Sequence, residues 1–212
     1  MHKLAHIPTL SRLKEIQPSL KYLLWDMDGT IMETECLHVK ATIDFIKLRT
    51  PNAVFDVDEI DKICVGATDS MALDRLHEIG LLPKTDLRAF IDYKTDHISQ
   101  QLKTVTTEKL FFSQIEELMI ELKNNGIKQA VVTSSEKDIT YSLLKHFNVL
   151  QYFDFIQTRK DTAKNKPDPE PYLHAIDRFK ANTEEILIFE DSITGMTAAK
   201  GSGAKYIHAA WY

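Results

Sequence analysis

Cysteine is nearly missing from this chain, which has only Cys36 and Cys64 in 212 residues. Two cysteines cannot build a disulfide framework, and neither belongs to a Cys-x-x-Cys pair, so a reducing compartment is expected and both read as small buried hydrophobes. Long apolar runs are missing too: no stretch approaches the about 18 residues a membrane helix needs, and no membrane span is expected. The first twenty residues are interrupted by Pro8, Lys14, Glu15 and Pro18, so they lack the apolar centre of a secretory signal. The cytoplasm is the expected location. An excess of basic charge is also lacking. The formal net charge is −5, which argues against the broad basic face that nucleic acid requires. Internal repeats and low-complexity stretches are absent. Chemistry on a small molecule is what remains.

The composition is that of a globular protein, 43% hydrophobic and 27% charged. The length suits one core with a small insert. Tyr22 to Trp25 is a short apolar run that stops at Asp26-Met27-Asp28-Gly29-Thr30, the pattern of a buried parallel strand entering a polar loop. Ile127 to Thr133, Phe153 to Thr158, Ile186 to Phe189 and, more weakly, Ala204 to Ala210 repeat that form. Helical spacing lies between them, at Ile115/Leu118/Met119/Leu122, Ile139/Leu143/Phe147 and Tyr172/Ile176/Phe179. Alternating strand and helix implies a parallel α/β sheet with helices on both faces.

Between the first strand and Lys109 only helical patterns occur: Val39/Ile43/Ile46, Ala72/Leu76/Ile79 and Leu87/Ile91/Ile98/Leu102. The expectation is an inserted four-helix cap over residues 33–105, with a catalytic core formed by 21–32 and 106–212. Residues 1–20 form an N-terminal extension whose Leu10, Leu13 and Ile16 could make a short amphipathic turn, against the core or a partner.

Ligands of open parallel sheets gather at the carboxyl ends of the strands. Four polar sets stand there: Asp26-x-Asp28-Gly29-Thr30, Thr133-Ser134-Ser135, Lys166-Pro167-Asp168-Pro169 and Glu190-Asp191. Phosphoryl transfer needs a nucleophile, an acid, a hard cation and donors for the equatorial oxygens, and these sets contain all of them. A carboxylate can attack phosphorus once a cation offsets the repulsion between anions. Magnesium suits that role, being held by one or two carboxylates with phosphate and water.

Asp-x-Asp-Gly-Thr after an apolar strand, Thr closing the next strand, Lys-Pro-Asp-Pro and Glu-Asp-Ser-x-x-Gly together resemble the four motifs of the haloacid dehalogenase superfamily. The resemblance runs from about Tyr22 onward and is strongest to the helical-cap branch that includes β-phosphoglucomutase and small-molecule phosphatases. It implies a Rossmann-like core and an all-helical cap. It implies Asp26 as nucleophile and Asp28 as general acid and base, with Thr133, Ser134 and Lys166 around the phosphoryl group. It implies magnesium held by Asp26, Asp28 (through its backbone carbonyl), Glu190 and Asp191. Thr34 and His38 match the Thr-x-x-x-His at the hinge and cap entrance of the mutase, and Lys94 falls near a substrate-contacting lysine.

One departure stands out. Where the mutase has a cap arginine shortly after a glycine, this chain reads Gly66-Ala67-Thr68-Asp69, and an acid there should repel a second phosphate. The family pattern usually continues beyond a point equivalent to Trp211-Tyr212, which leaves either a compact variant or a missing segment.

Plainer readings stand beside these. Asp and Gly are ordinary turn residues, Glu190 could cap the following helix, and Ser134 or Ser135 could cap the helix after Thr133. Which of the three hydroxyls meets phosphate is open by one position. Lys164 rivals Lys166. His38 is either a site residue or a half-buried helix residue. Lys94 lies on the face of Leu87, Ile91 and Ile98, either reaching into the cleft or covering apolar surface with its stem. Asp69 reads as an N-cap or first-turn acid.

The resulting expectation is a magnesium-dependent phosphatase acting on a small phosphomonoester, a sugar phosphate or nucleotide-like metabolite, through an aspartyl phosphate. It would work as a monomer or weak homodimer. The rivals are a phosphomutase, a dehalogenase disfavoured by Asp28, Glu190 and Asp191, and a non-catalytic phosphometabolite-binding or regulatory protein.

Overall fold

Leu23, Leu24 and Trp25 have no exposed surface, so their strand is covered on both faces and sits at the centre of a sheet. The computed structural model describes residues 2–65, 67–105 and 109–212. Its six strands are β1 (His2–Leu4), β2 (Tyr22–Trp25), β3 (Lys128–Val132), β4 (Phe155–Gln157), β5 (Ile186–Glu190) and β6 (Lys205–Ala209). They form one sheet in the order β1-β6-β5-β2-β3-β4, and every pairing is parallel. The order reverses at β2: the chain goes from β2 to β3 on one side, and later to β5 on the other. That reversal opens a crevice at the carboxyl end of β2.

Contacts divide the chain into two units, Met1–Glu33 with Thr107–Tyr212, and Thr34–Thr106. The first contains the sheet and helices α1 (Leu10–Ile16), α6 (Ser113–Asn124), α7 (Lys137–His146), α8 (Glu170–Phe179) and α9 (Ile193–Gly201). Its core includes Leu24, Ala130, Val132, Ile186 and Ile188 from the strands, packed with Tyr172, Ala175, Ala198 and Ala199 from α8 and α9.

The second unit holds α2 (Glu35–Arg49), α3 (Val57–Cys64), α4 (Asp69–Glu78) and α5 (Leu87–Gln101). Phe45, Ile46, Ile60, Leu73, Leu76, Leu82 and Phe90 make its core. Gly66, and residues 106–108 where the cap was expected to rejoin the core, lie outside the described residues. No helix among the described residues is long and apolar enough to cross a membrane.

Several local expectations are corrected. Cys36 is exposed and Cys64 only half-buried; neither is among the buried residues of its helix, α2 or α3. Neither Ser134 nor Ser135 caps the helix after β3. Glu136 is the N-cap, without a side-chain bond, because Ser135 is engaged elsewhere. In the first twenty residues the structure has a strand as well as a helix. Thr9 caps α1, Leu10, Leu13 and Ile16 are buried, and β1 pairs with β6 at the sheet edge. Three residues with no burial alternation gave no strand signal in the sequence.

Candidate active site

The hydrogen-bond ladder of β2 with β5 continues one residue past the strand, where the Asp26 N–H donates to the Phe189 carbonyl at 3.0 Å. Asp26 is thereby held beside Glu190, the last residue of β5, at the crevice. Acceptor oxygens of Asp26, Glu190 and Asp191 lie within 4.8 Å of one another.

Lys166, from the loop before α8, inserts its ammonium among them. It donates to Asp26 Oδ1 at 2.5 Å, Glu190 Oε1 at 2.6 Å and the Val132 carbonyl at 2.9 Å. All three ammonium hydrogens are in use, so in this arrangement Lys166 fixes the nucleophile candidate. It reaches a phosphoryl oxygen only by giving up one of these bonds. Lys164 makes a different contact, an exposed pair with Asp168.

Glu190 has no exposed surface. Besides Lys166 it accepts from the Tyr172 hydroxyl at 3.1 Å and from the Ser192 N–H and hydroxyl at 3.0 and 3.1 Å. It therefore does both things the sequence left open, joining the acidic cluster and bonding the start of α9. Tyr172 also places its ring 4.9 Å from the Lys166 ammonium. Burial and the charge of Glu190 raise the Tyr172 phenol well above its ordinary value, so it stays a donor.

Burial pushes the Asp26 carboxyl well above its ordinary range; Lys166 pulls it down, and Glu190 and Asp191 push it up again. Burial disfavours the charge of Lys166, yet Asp26 and Glu190 outweigh it and hold the ammonium well above its usual value. Lys166 pairs with two of these acids and Asp191 lies beside them, so the cluster gathers carboxylate oxygens in a largely buried place. A hard divalent cation, which takes oxygen ligands, fits that donor set.

Asp28, two residues on, is half-exposed and stands in a different environment. Its Oδ2 accepts from the Ser135 hydroxyl at 2.6 Å and lies 3.4 Å from the Thr133 hydroxyl. Ser135 makes the short bond; Ser134 is half-exposed and enters none of these bonds. Thr133 also accepts the Ser135 N–H at 3.0 Å, which shapes the turn. Two carboxylates on one loop thus have separate surroundings, the pattern that divides a nucleophile from an acid.

Two glycines make room for this. Gly29 has φ +77°, and a Cβ there would collide with the carboxylate of Asp191. A Cβ at Gly195 would overlap the carboxylate of Glu190. Thr30 then bonds Asp191 Oδ1 at 2.9 Å.

A profile of the haloacid dehalogenase-like hydrolases matches residues 23–209. The chain belongs to this family. It is 31% identical over 188 residues to a phosphoglycolate phosphatase of Nitrosospira multiformis, covering 87% of this chain and 81% of the relative. It is 27% identical over 190 residues to a phosphorylated carbohydrates phosphatase of Thermotoga maritima, covering 89% and 84%. Among solved structures, CbbY of Rhodobacter sphaeroides in complex with phosphate superposes with a TM-score of 0.75 at 24% identity, covering 89% and 85%, and shares the fold.

The remaining candidates lie in the helical unit. Thr34 is fully buried at the start of α2, and His38 is half-buried one turn on. Lys94 is 3% exposed, and its ammonium bonds Asp69 Oδ1 at 2.5 Å while lying 5.2 Å from the Phe90 ring centroid. Its stem therefore does not carry the charge out to solvent. Asp69 is the first residue of α4, with Thr68 as N-cap, and its charge is matched by Lys94. The expected repulsion from a bare acid at this place loses its basis.

Proposed function

We propose that this hydrolase removes the phosphoryl group from small phosphomonoesters, sugar phosphates among them, with Asp26 as nucleophile and magnesium as its cofactor. The observation that carries the reading is the buried cluster in which Lys166 fixes Asp26 while Asp26, Glu190 and Asp191 bring carboxylate oxygens within 4.8 Å of one another. The phosphatase names of the two relatives agree with it.

When bound, the metal screens the substrate's charge from the carboxylate that attacks it. Asp26, Glu190 and Asp191 are the side chains proposed to hold it, with the Asp28 backbone carbonyl. Attack by the free Asp26 oxygen on phosphorus forms the aspartyl phosphate and breaks the ester bond. Asp28 gives its proton to the leaving oxygen, then takes one from the water that hydrolyses the acyl phosphate. Ser135 holds the Asp28 carboxyl, and Thr133, Ser134 and Lys166 are the proposed phosphate donors, Thr133 by turning its one hydroxyl hydrogen away from Asp28. The helical unit, with Thr34 and His38 as first candidates, is proposed to select the leaving group. Phosphorylated metabolites are charged and confined to the cytoplasm, the proposed compartment, where the enzyme would act as a monomer or weak homodimer.

A panel of sugar phosphates, phosphoglycolate and nucleotides, assayed for phosphate release with magnesium and with chelator, tests this. Release with magnesium that falls at least about 10³-fold in Asp26→Asn is expected. Conversion of a sugar phosphate to its isomer without net release would reassign the enzyme as a mutase, and no turnover of any compound would leave a binding protein.

A further inference from the structure

Met27 to Met32 form a tight turn in which the N–H groups of Thr30, Ile31 and Met32 all converge on the Met27 carbonyl at 2.9 to 3.2 Å. The same turn presents the carbonyls of Thr30 and Ile31 as acceptors. Each is met by a side chain from beyond the matched residues 23–209. The Trp211 indole N–H donates to the Thr30 carbonyl at 2.8 Å, and the Tyr212 hydroxyl donates to the Ile31 carbonyl at 2.8 Å.

Neither ring is loosely placed. Trp211 is 8% exposed and sits edge-on to Phe189 with centroids 5.3 Å apart, and Phe189 sits edge-on to Trp25 at 4.8 Å. This row of three rings includes the residues directly preceding Asp26 and Glu190. Tyr212 stacks on Phe112 at 4.6 Å. Burial raises its phenol well above the ordinary value, so it remains a donor.

The N-terminal extension takes part. The Ala210 N–H donates to the Leu4 carbonyl at 2.9 Å, so β1 fixes the backbone just before Trp211. The N-terminal segment thus braces the C-terminal one, which meets the turn, and the turn carries Thr30, whose hydroxyl bonds Asp191.

We infer that Trp211 and Tyr212 are positioning residues: by holding the Thr30 and Ile31 carbonyls they set the Thr30 hydroxyl against Asp191 and so tune the affinity of the acidic cluster for its cation. The inference rests on the reading of Asp191 as a metal ligand. Partners that orient a ligand through a hydrogen bond change metal affinity without touching the metal.

Calorimetric titration of magnesium into the full chain, with the melting temperature of the metal-free protein measured alongside, separates the outcomes. Trp211→Phe removes the N–H, and Tyr212→Phe removes only the hydroxyl. Magnesium affinity is expected to fall about tenfold in the first and about threefold in the second. With Thr30→Val already present, Trp211→Phe should weaken it no further, because the indole acts through Thr30. Parental affinity in both variants, while Asp191→Asn has lost binding, overturns the inference alone. So does a lower melting temperature without a change in affinity, or a full additional loss in the Thr30→Val background. Parental affinity in Asp191→Asn overturns the metal-site reading instead. If Trp211→Phe fails to fold, Tyr212→Phe decides, since its ring stays stacked on Phe112.

Discussion

Each unit of the chain buries a lysine against acid, and the two do so differently. In the helical unit Lys94 meets Asp69, one charge for one. In the sheet unit Lys166 meets both Asp26 and Glu190, one ammonium for two carboxylates, with Asp191 beside them. A matched buried pair is complete as it stands and serves the packing around it. A mismatched cluster that gathers three carboxylates within 4.8 Å offers the oxygen donors a hard cation takes, which is why the second is read as a site and the first is not.

The contrast is sharpest where the matched pair is broken. Asp69→Asn strands a buried ammonium, and a loss of about 3 kcal/mol in unfolding free energy by urea titration is expected. Asp69→Leu with Lys94→Met, apolar on both sides, should recover most of it. A harmless Asp69→Asn would erase the distinction. For the mismatched cluster, magnesium at about a hundredfold its dissociation constant should add about 2.7 kcal/mol to stability. Asp191→Asn should abolish that gain, and chelator should reverse it.

A smaller effect concerns the half-exposed acid. Ser135→Ala removes the short bond to Asp28, and turnover should fall about tenfold with KM nearly unchanged. If KM rises instead, the hydroxyl binds substrate and does not hold the acid. The smallest effect belongs to a surface cluster of the helical unit, where Asp44 bonds Lys40 and His97, both at 2.9 Å. Burial raises the Asp44 carboxyl, but its bonds to Lys40 and His97 outweigh it and bring it below its ordinary 3.8. A depressed carboxyl stabilises above its unfolded value and ceases to do so as pH falls through the folded one. Parent and Asp44→Asn should therefore differ by at most about 0.5 kcal/mol at pH 7 and converge at more acid pH.

The sheet and the ends of its strands were legible because apolar runs stopping at Asp26, Thr133 and Glu190 report burial and its limit in one stroke. Helices α2, α4 and α5 were legible by their spacing. The partners of the acids were harder to read. Sequence could not choose Ser135 over Ser134, since both follow the strand and only the turn decides which hydroxyl faces Asp28. Tyr172 read as a core residue of α8, and its hydroxyl on Glu190 had no local signal. Lys94 was visible as a cation on an apolar face, but its match with Asp69 is a contact between residues 25 apart. β1 is too short to show a period, and Trp211 and Tyr212 gain meaning only beside Thr30 and Ile31.

Gly29 and Gly195 set a limit on how this chain can vary. Each touches an acid of the cluster so closely that even alanine would displace it. In a library sampling every substitution, these two positions should therefore look as intolerant as the acids they accommodate, although neither offers a functional group. Drift that retunes substrate choice is left to act elsewhere, and a descendant that lost either glycine would keep the scaffold while giving up its chemistry.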